Sequence, residues 1–127
     1  MINALLVGVG GAVGSVARHG IGVAIARLSP GRVTPLATMT VNLAGCLAIG
    51  ILAGLVASER LTLTPGARAF VFAGVLGGFT TFSSFGLDTF TLAHGGRPGL
   101  AALNAVIQVG VGCALVAVGY AVAAAAR

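Results

Sequence analysis

Residues 35–57 form a run of 23 residues without a single charged side chain. A run of about 20 apolar residues is long enough to cross a bilayer as a helix. The whole chain of 127 residues has seven arginines, two acidic residues and no lysine, so only 7% of its residues are charged. Soluble domains carry about 25%. These features exclude an ordinary soluble enzyme and a disordered chain, and they predict an integral membrane protein.

Charged residues, prolines and glycines divide the chain into four apolar segments. The predicted helical spans are residues 3–25, 35–57, 67–93 and 100–126, which together form one four-helix transmembrane domain over residues 1–127. The apolar runs are continuous and do not alternate, which excludes a β-barrel and favours an all-α membrane protein. A cleaved signal peptide is the weaker interpretation of the first segment, because residues 1–3 carry no positive side chain.

The arginines near the ends of the spans favour neither orientation in the membrane. Four spans would place Arg60, Arg68 and Arg127 on one side and Arg27, Arg32 and Arg97 on the other. Cytoplasmic loops usually carry an excess of Arg and Lys, so this equal division gives no preference. Two oppositely inserted copies can pair about a twofold axis in the membrane plane. The sequence therefore predicts dual topology, and a chance balance in a short chain is the alternative.

Polar side chains inside the first two spans need a reason. Arg18 lies about 15 residues into an apolar run, where a charge is costly. It either extends to the interface or attracts anions in a water-filled vestibule. Thr38 and Asn42 share one face of the second helix. We expect such neutral groups either to bond a neighbouring helix or to line a pore.

Small residues recur along the predicted helices and favour close packing between them. The first helix has Gly8, Gly11 and Ser15 along one face, with Gly14 beside them. The other candidate packing glycines are Gly45, Gly50 and Gly54 in the second helix and Gly110, Gly112 and Gly119 in the fourth. The pattern around Gly8 does not have the spacing of a phosphate-binding loop.

The third segment carries the most specific pattern, which reads GGFTTFSSF over residues 77–85. Two glycines followed by two threonines make a poor continuous helix, so this pattern predicts a break in the middle of the membrane. Freed carbonyls at such a break can bind a monovalent cation. The ring edges of Phe82 and Phe85 carry partial positive charge and could contact an anion. Simple packing is the alternative for these rings.

These motifs resemble the Fluc (CrcB) family of fluoride ion channels over the whole chain. The resemblance rests on GGxxGxxxR at residues 10–18, on TxxxNxxG at residues 38–45 and most strongly on residues 77–85. It implies a channel, and not an enzyme, in the cell inner (plasma) membrane. That channel would export fluoride passively, and so lower its toxicity, through two pores of an antiparallel dimer.

The resemblance also implies roles for individual residues. The fluoride pore would be lined by Phe82, Phe85, Asn42, Thr38, Ser83 and Ser84. The backbone carbonyls of Gly77 and Thr80, from both subunits, would hold a structural sodium ion that is not transported. Arg18 would lie in the vestibule. Asp88 stands where the family has Glu, and Asn104 and Gln108 share a face of the fourth helix without an assigned role.

Three alternatives stay open at the level of sequence. A small multidrug transporter would need an acidic residue in the first helix, and this chain has none there. A non-conducting structural or assembly subunit would use all of these motifs for packing alone. Within the family, the chain could be one half of a heterodimer with a paralogue and not a homodimer.

Overall fold

The structure is a computed structural model that describes residues 1–28 and 33–125. All secondary structure in this part of the chain is helical. The helices that are long and apolar enough to cross a membrane are Ile2–Leu28, Pro35–Ala57, Pro65–His94 and Pro98–Ala125. The prediction of four spans with an interrupted third helix is confirmed. Residues 29–32 of the connection between the first two spans, and with them Arg32, lie outside the described residues, as does Arg127.

The elements are numbered here in chain order. The first two helices are α1 (Ile2–Leu28) and α2 (Val33–Ala57). The third span consists of α3, residues 65–79, and α4 (Phe82–His94). The fourth span is α5 (Pro98–Ala125). Wider π-helical turns occur in α3 at Ala69–Leu76 and in α5 at Ile107–Val111.

Helices α1 and α3 run parallel and in direct backbone contact. A Cβ atom on Gly10 would lie 2.5 Å from the carbonyl oxygen of Phe70 and 3.0 Å from the Cα of Gly74. A Cβ atom on Gly14, one turn later, would collide with the backbone of Val75. Only glycine allows this approach, and in lipid such close packing is a main source of helix association.

The predicted packing face of α1 is confirmed only in part, because Gly11 and Ser15 both contact Gly78, whereas Gly8 takes no part in the contact with α3. A Cβ atom added to Gly8 or Gly11 would meet no atom within 4 Å, so these two positions do not require glycine for packing against the described residues. The residues that do are Gly10 and Gly14, which are both buried. Both sets have helical spacing, and spacing alone cannot say which of two neighbouring faces meets α3.

Helices α2 and α5 form the second parallel pair. A Cβ atom on Gly54 would lie 2.5 Å from the carbonyl oxygen of Tyr120, and one on Gly119 would lie 2.8 Å from that of Leu47. Near the same end, Nη1 of Arg60 donates to the carbonyl of Ala123 at 3.3 Å. Because α1 is parallel to α3 and α2 to α5, the four spans alternate in direction.

The third span is interrupted at Thr80 and Thr81. Both residues have extended backbones, with φ and ψ of −84° and 160° at Thr80 and −152° and 111° at Thr81. The glycines that signalled a break are still helical, and a Cβ atom on Gly78 would run into the backbone of Gly11. Thr81 begins the next helix, because its Oγ1 accepts from the N–H of Ser84 at 3.3 Å.

Candidate functional site

Asn42 on α2 is hydrogen-bonded to the backbone of the break. Its Oδ1 accepts from the N–H of Thr81 at 2.8 Å, and its Nδ2 donates to the carbonyl of Thr81 at 3.1 Å. A carboxamide offers an acceptor and two donors, so it pairs with a peptide unit as a second peptide would. Asn42 therefore supplies an acceptor for the N–H of Thr81, which the break leaves without a helical acceptor.

Two carbonyl groups at the break lose their helical donors. In a continuous helix the carbonyl of Gly77 would accept from Thr81 N–H, and that of Thr80 from Ser84 N–H. Here Asn42 takes the first donor and the hydroxyl of Thr81 takes the second. Within the described part of the chain, neither carbonyl oxygen has a hydrogen-bond donor. These are the two carbonyls that the family resemblance assigns to a structural sodium ion.

A chain of side-chain hydrogen bonds continues from Asn42 into α5 and α4. Nδ2 of Asn42 donates to Oε1 of Gln108 at 2.7 Å, and Nε2 of Gln108 donates to Oδ1 of Asn104 at 2.9 Å. Nδ2 of Asn104 then donates to the hydroxyl of Thr89 at 2.9 Å. Gln108 is 8% exposed and Asn104 is 4% exposed. We call Asn42, Gln108, Asn104 and Thr89 the amide chain.

A cavity of about 360 Å³ lies directly beside the break. Five of the residues predicted from sequence line it, namely Asn42, Gly77, Thr80, Phe82 and Phe85. The rings of Phe82 and Phe85 have centroids 5.3 Å apart and are tilted by 49°. Phe82 is 81% exposed, so the cavity opens at the surface of the chain. Here an aromatic pair, freed carbonyls and a carboxamide share one concave space.

The predicted serines form a hydroxyl cluster at the start of α4. The hydroxyl of Thr81 donates to Oγ of Ser84 at 3.0 Å and lies 3.3 Å from Oγ of Ser83. Ser83 is exposed and Ser84 is half-buried. Thr38 is buried one turn before Asn42. Neither serine nor Thr38 lines the cavity itself.

Arg18 lies on α1, away from the cavity. Its Nη2 is 3.5 Å from Oγ of Ser15, which in turn donates to the carbonyl of Gly78 at 3.4 Å. These long contacts lead from the arginine to the backbone just before the break.

Asp88, on α4, has one solvent-shielded oxygen. Its Oδ2 has no hydrogen-bond donor among the described residues.

Sequence reasoning left Asn104, Gln108 and Thr89 of the amide chain without a role. The available signal was the spacing of Asn104 and Gln108, which places two carboxamides one turn apart in an apolar helix. Their partners are Asn42, which is 66 residues from Gln108, and Thr89. Thr81 was seen only as part of the break and not as the partner of Asn42.

A family model described as "CrcB-like protein, Camphor Resistance (CrcB)" matches residues 5–120. Curated relatives named "Fluoride-specific ion channel FluC" match along most of the chain. The protein of Methylobacillus flagellatus is 44% identical over 120 residues, which cover 94% of this chain and 93% of the relative. That of Agrobacterium fabrum is 46% identical over 121 residues, 95% of each. That of Paracoccus denitrificans is 51% identical over 94 residues, 73% of this chain and 71% of the relative.

Proposed function

The chain belongs to the CrcB family, and we propose that it is a fluoride-selective channel through which cytoplasmic fluoride leaves the cell passively. The observation that carries this proposal is the cavity at the break, where Phe82, Phe85 and Asn42 meet. The multi-pass architecture and the names of the relatives support it. At the level of the family, the chain is a member of a group of membrane channels. No catalytic role is proposed for it.

The chemistry of the cavity suits a small anion that must leave again. Ring edges and hydroxyl groups offer partial positive charge without the full charge that would trap the ion. We assign Phe82 and Phe85 to the ring edges that face fluoride in the cavity. Ser83, Ser84 and Thr38 lie outside the cavity, and we assign them to hydroxyl groups further along the path of the ion. Both N–H groups of Asn42 already serve acceptors, so Asn42 would donate to fluoride by exchanging one of those bonds.

The proposed channel is an antiparallel dual-topology homodimer with two pores. Two observations support a second copy beside the break. The cavity is open at the surface where Phe82 is exposed, and Gly77 is exposed too. The six arginines near the ends of the predicted spans divide three and three between the two sides, so the charge pattern favours neither orientation. A second copy would close the cavity and complete a narrow pore.

We assign the carbonyl oxygens of Gly77 and Thr80 to a structural sodium ion at the dimer centre. The fit is supported by their missing helical donors, because unpaired carbonyls are the hard oxygen ligands that a small cation prefers. When bound, the ion would supply a fixed positive charge near both pores. The same two carbonyls from the second copy would complete its coordination.

Reconstitution of the purified chain into liposomes tests the function. With a valinomycin shunt, we expect rapid fluoride efflux and negligible chloride efflux. Empty liposomes and liposomes carrying the Phe82→Ile variant serve as controls. If confirmed dimers of this chain alone gave no fluoride flux, the homodimeric channel would be ruled out, and co-reconstitution with a paralogue would then test the heterodimer.

Exchange of Na⁺ for a large organic cation tests the sodium site. We expect lower fluoride flux or a less stable dimer, because carbonyls that face one another across the dimer centre would repel without a cation between them. Restoring Na⁺ should restore both properties. Identical flux and dimer stability in the two buffers would remove the sodium from the proposal.

A further inference from the structure

We propose that Thr89, Asn104 and Gln108 are positioning residues that fix the direction in which Asn42 faces the break. The proposal rests on the proposed function only for its flux readout. Its structural content is that all hydrogen bonds of the amide chain run in one direction, from donor to acceptor, which we call its polarity. The series starts at a single backbone carbonyl of α4 and ends at the N–H of Thr81.

The polarity begins at Thr89. Its hydroxyl has one hydrogen, which it donates to the carbonyl of Phe85 at 2.8 Å. Toward any other partner this hydroxyl can only accept. Asn104, which is 2.9 Å away, must therefore present its amino group to Thr89 and keep its Oδ1 for the other side.

The same logic passes along the chain of carboxamides. Oδ1 of Asn104 faces Gln108, so Gln108 must present its amino group there and its Oε1 toward Asn42. Oε1 can only accept, so Asn42 must present Nδ2 to it. The one atom of Asn42 that remains for the N–H of Thr81 is Oδ1, as observed.

Reversal of any one carboxamide would place two amino groups or two carbonyl oxygens face to face. Asn104 and Gln108 are buried, and a buried polar group without a partner is far more costly than a lost bond in water. The polarity is therefore held along its whole length. It matters at the break, because Oδ1 of Asn42 keeps the N–H of Thr81 away from the carbonyl of Gly77.

The amide chain also anchors both ends of the aromatic segment of α4. Asn42 bonds Thr81, the residue before this helix, and Asn104 bonds Thr89, two turns further on. Phe82 and Phe85 lie between these anchors. Gln108 joins the two anchors from α5, within its π-helical turn, a feature that often marks functional positions in helices.

The test uses two variants that keep side-chain volume and remove one polar group. Thr89→Val removes the hydroxyl that sets the polarity, and Gln108→Met removes both hydrogen bonds in the middle of the chain. Thr89→Ser keeps the hydroxyl and is the matched control. Val106→Ala, at an exposed position of α5, controls for substitution in that helix. The readouts are fluoride flux per dimer and amide hydrogen exchange at Thr81 in the reconstituted protein.

We expect both volume-matched variants to speed hydrogen exchange at Thr81 and to lower flux, each by about tenfold, because each removes or weakens the one bond by which Gln108 holds Asn42. Thr89→Ser and Val106→Ala should behave as the unsubstituted chain. In a double-mutant cycle, Gln108→Met should add little to the loss caused by Asn42→Ala, because both act through the same bond.

Unchanged exchange at Thr81 in a folded Thr89→Val dimer would overturn the proposal, as would losses that multiply in the double variant. If Gln108→Met does not fold, Thr89→Val still decides, because it acts at the half-buried end of the chain. Absence of flux from the unsubstituted dimer would refute the proposed function instead. The exchange measurement would still judge the amide chain in that case.

Discussion

The third span is held from two sides by different physical means. On one side, Gly10 and Gly14 of α1 bring the backbone of α3 into direct contact. On the other side, Asn42 and the rest of the amide chain bond the break and α4. The glycine contact fixes how close two helices lie. The amide chain fixes which backbone atoms the break presents, so distance and polarity are specified by separate sets of residues.

Because of this difference, we expect the glycine contact to determine folding and the amide chain to determine conduction. Close packing in lipid depends on many dispersion contacts. Where two helix backbones touch, there is no space for an added Cβ atom. Hydrogen bonds between membrane helices contribute about 0.6–2 kcal/mol each. Substitutions in the glycine contact should therefore prevent assembly, and substitutions in the amide chain should leave a folded dimer with altered transport.

The largest effect is expected from Gly14→Ala. Its Cβ atom would collide with the backbone of Val75 and Phe79, so α1 and α3 would have to separate. Overpacking of this kind costs about 1–3 kcal/mol, and more where backbone must move. We expect loss of monodisperse protein in size-exclusion chromatography. Gly8→Ala, where a Cβ meets no atom within 4 Å, is the control, and equal yields for both would contradict the glycine contact.

Asn42→Ala tests the hydrogen bonds of the amide chain, on the opposite side of the third span from the glycine contact. It removes three hydrogen bonds, two of them to Thr81, and frees the N–H of Thr81 to bond the carbonyl of Gly77. We expect fluoride flux to fall by about a hundredfold, given some 1 kcal/mol for each bond lost. Dimers should persist in chromatography. Thr40→Ala, on an exposed face of α2, should conduct normally, and normal flux from Asn42→Ala would exclude the carboxamide from transport.

Phe82→Ile tests the aromatic segment that the amide chain anchors. Isoleucine keeps an apolar side chain but has no positive ring edge, so we expect about tenfold slower fluoride flux, equivalent to one favourable contact of about 1.4 kcal/mol. Phe90→Ile, also exposed on α4, is the control. If both substitutions slowed flux equally, the effect would reflect the packing of α4 and not a ring that faces the ion.

Local signals in the sequence predicted the frame of the molecule but not the orientation of its helices. Long apolar runs predicted the four spans, and the threonines and glycines of residues 77–85 predicted the break. On α1 the pattern included Gly8 and missed Gly10, because both have helical spacing and only the neighbouring helix selects between them. The bond between Asn42 and Gln108 joins residues 66 positions apart, and no local pattern carries that distance. The role of a polar residue in a span therefore depends on its partner, which sequence alone does not name.

The smallest effect is expected from Arg18→Gln, which belongs to neither side of the comparison. Arg18 lies off the cavity, and its Nη2 is 3.5 Å from Oγ of Ser15. If it attracts anions from solution, its loss should lower fluoride flux two- to threefold at low ionic strength and very little at high ionic strength, since salt screens that field within about 10 Å. Arg27→Gln, at the exposed end of α1, is the control. A loss that does not depend on salt would mean that Arg18 acts through Ser15 on the carbonyl of Gly78, and would join it to the residues that hold the break.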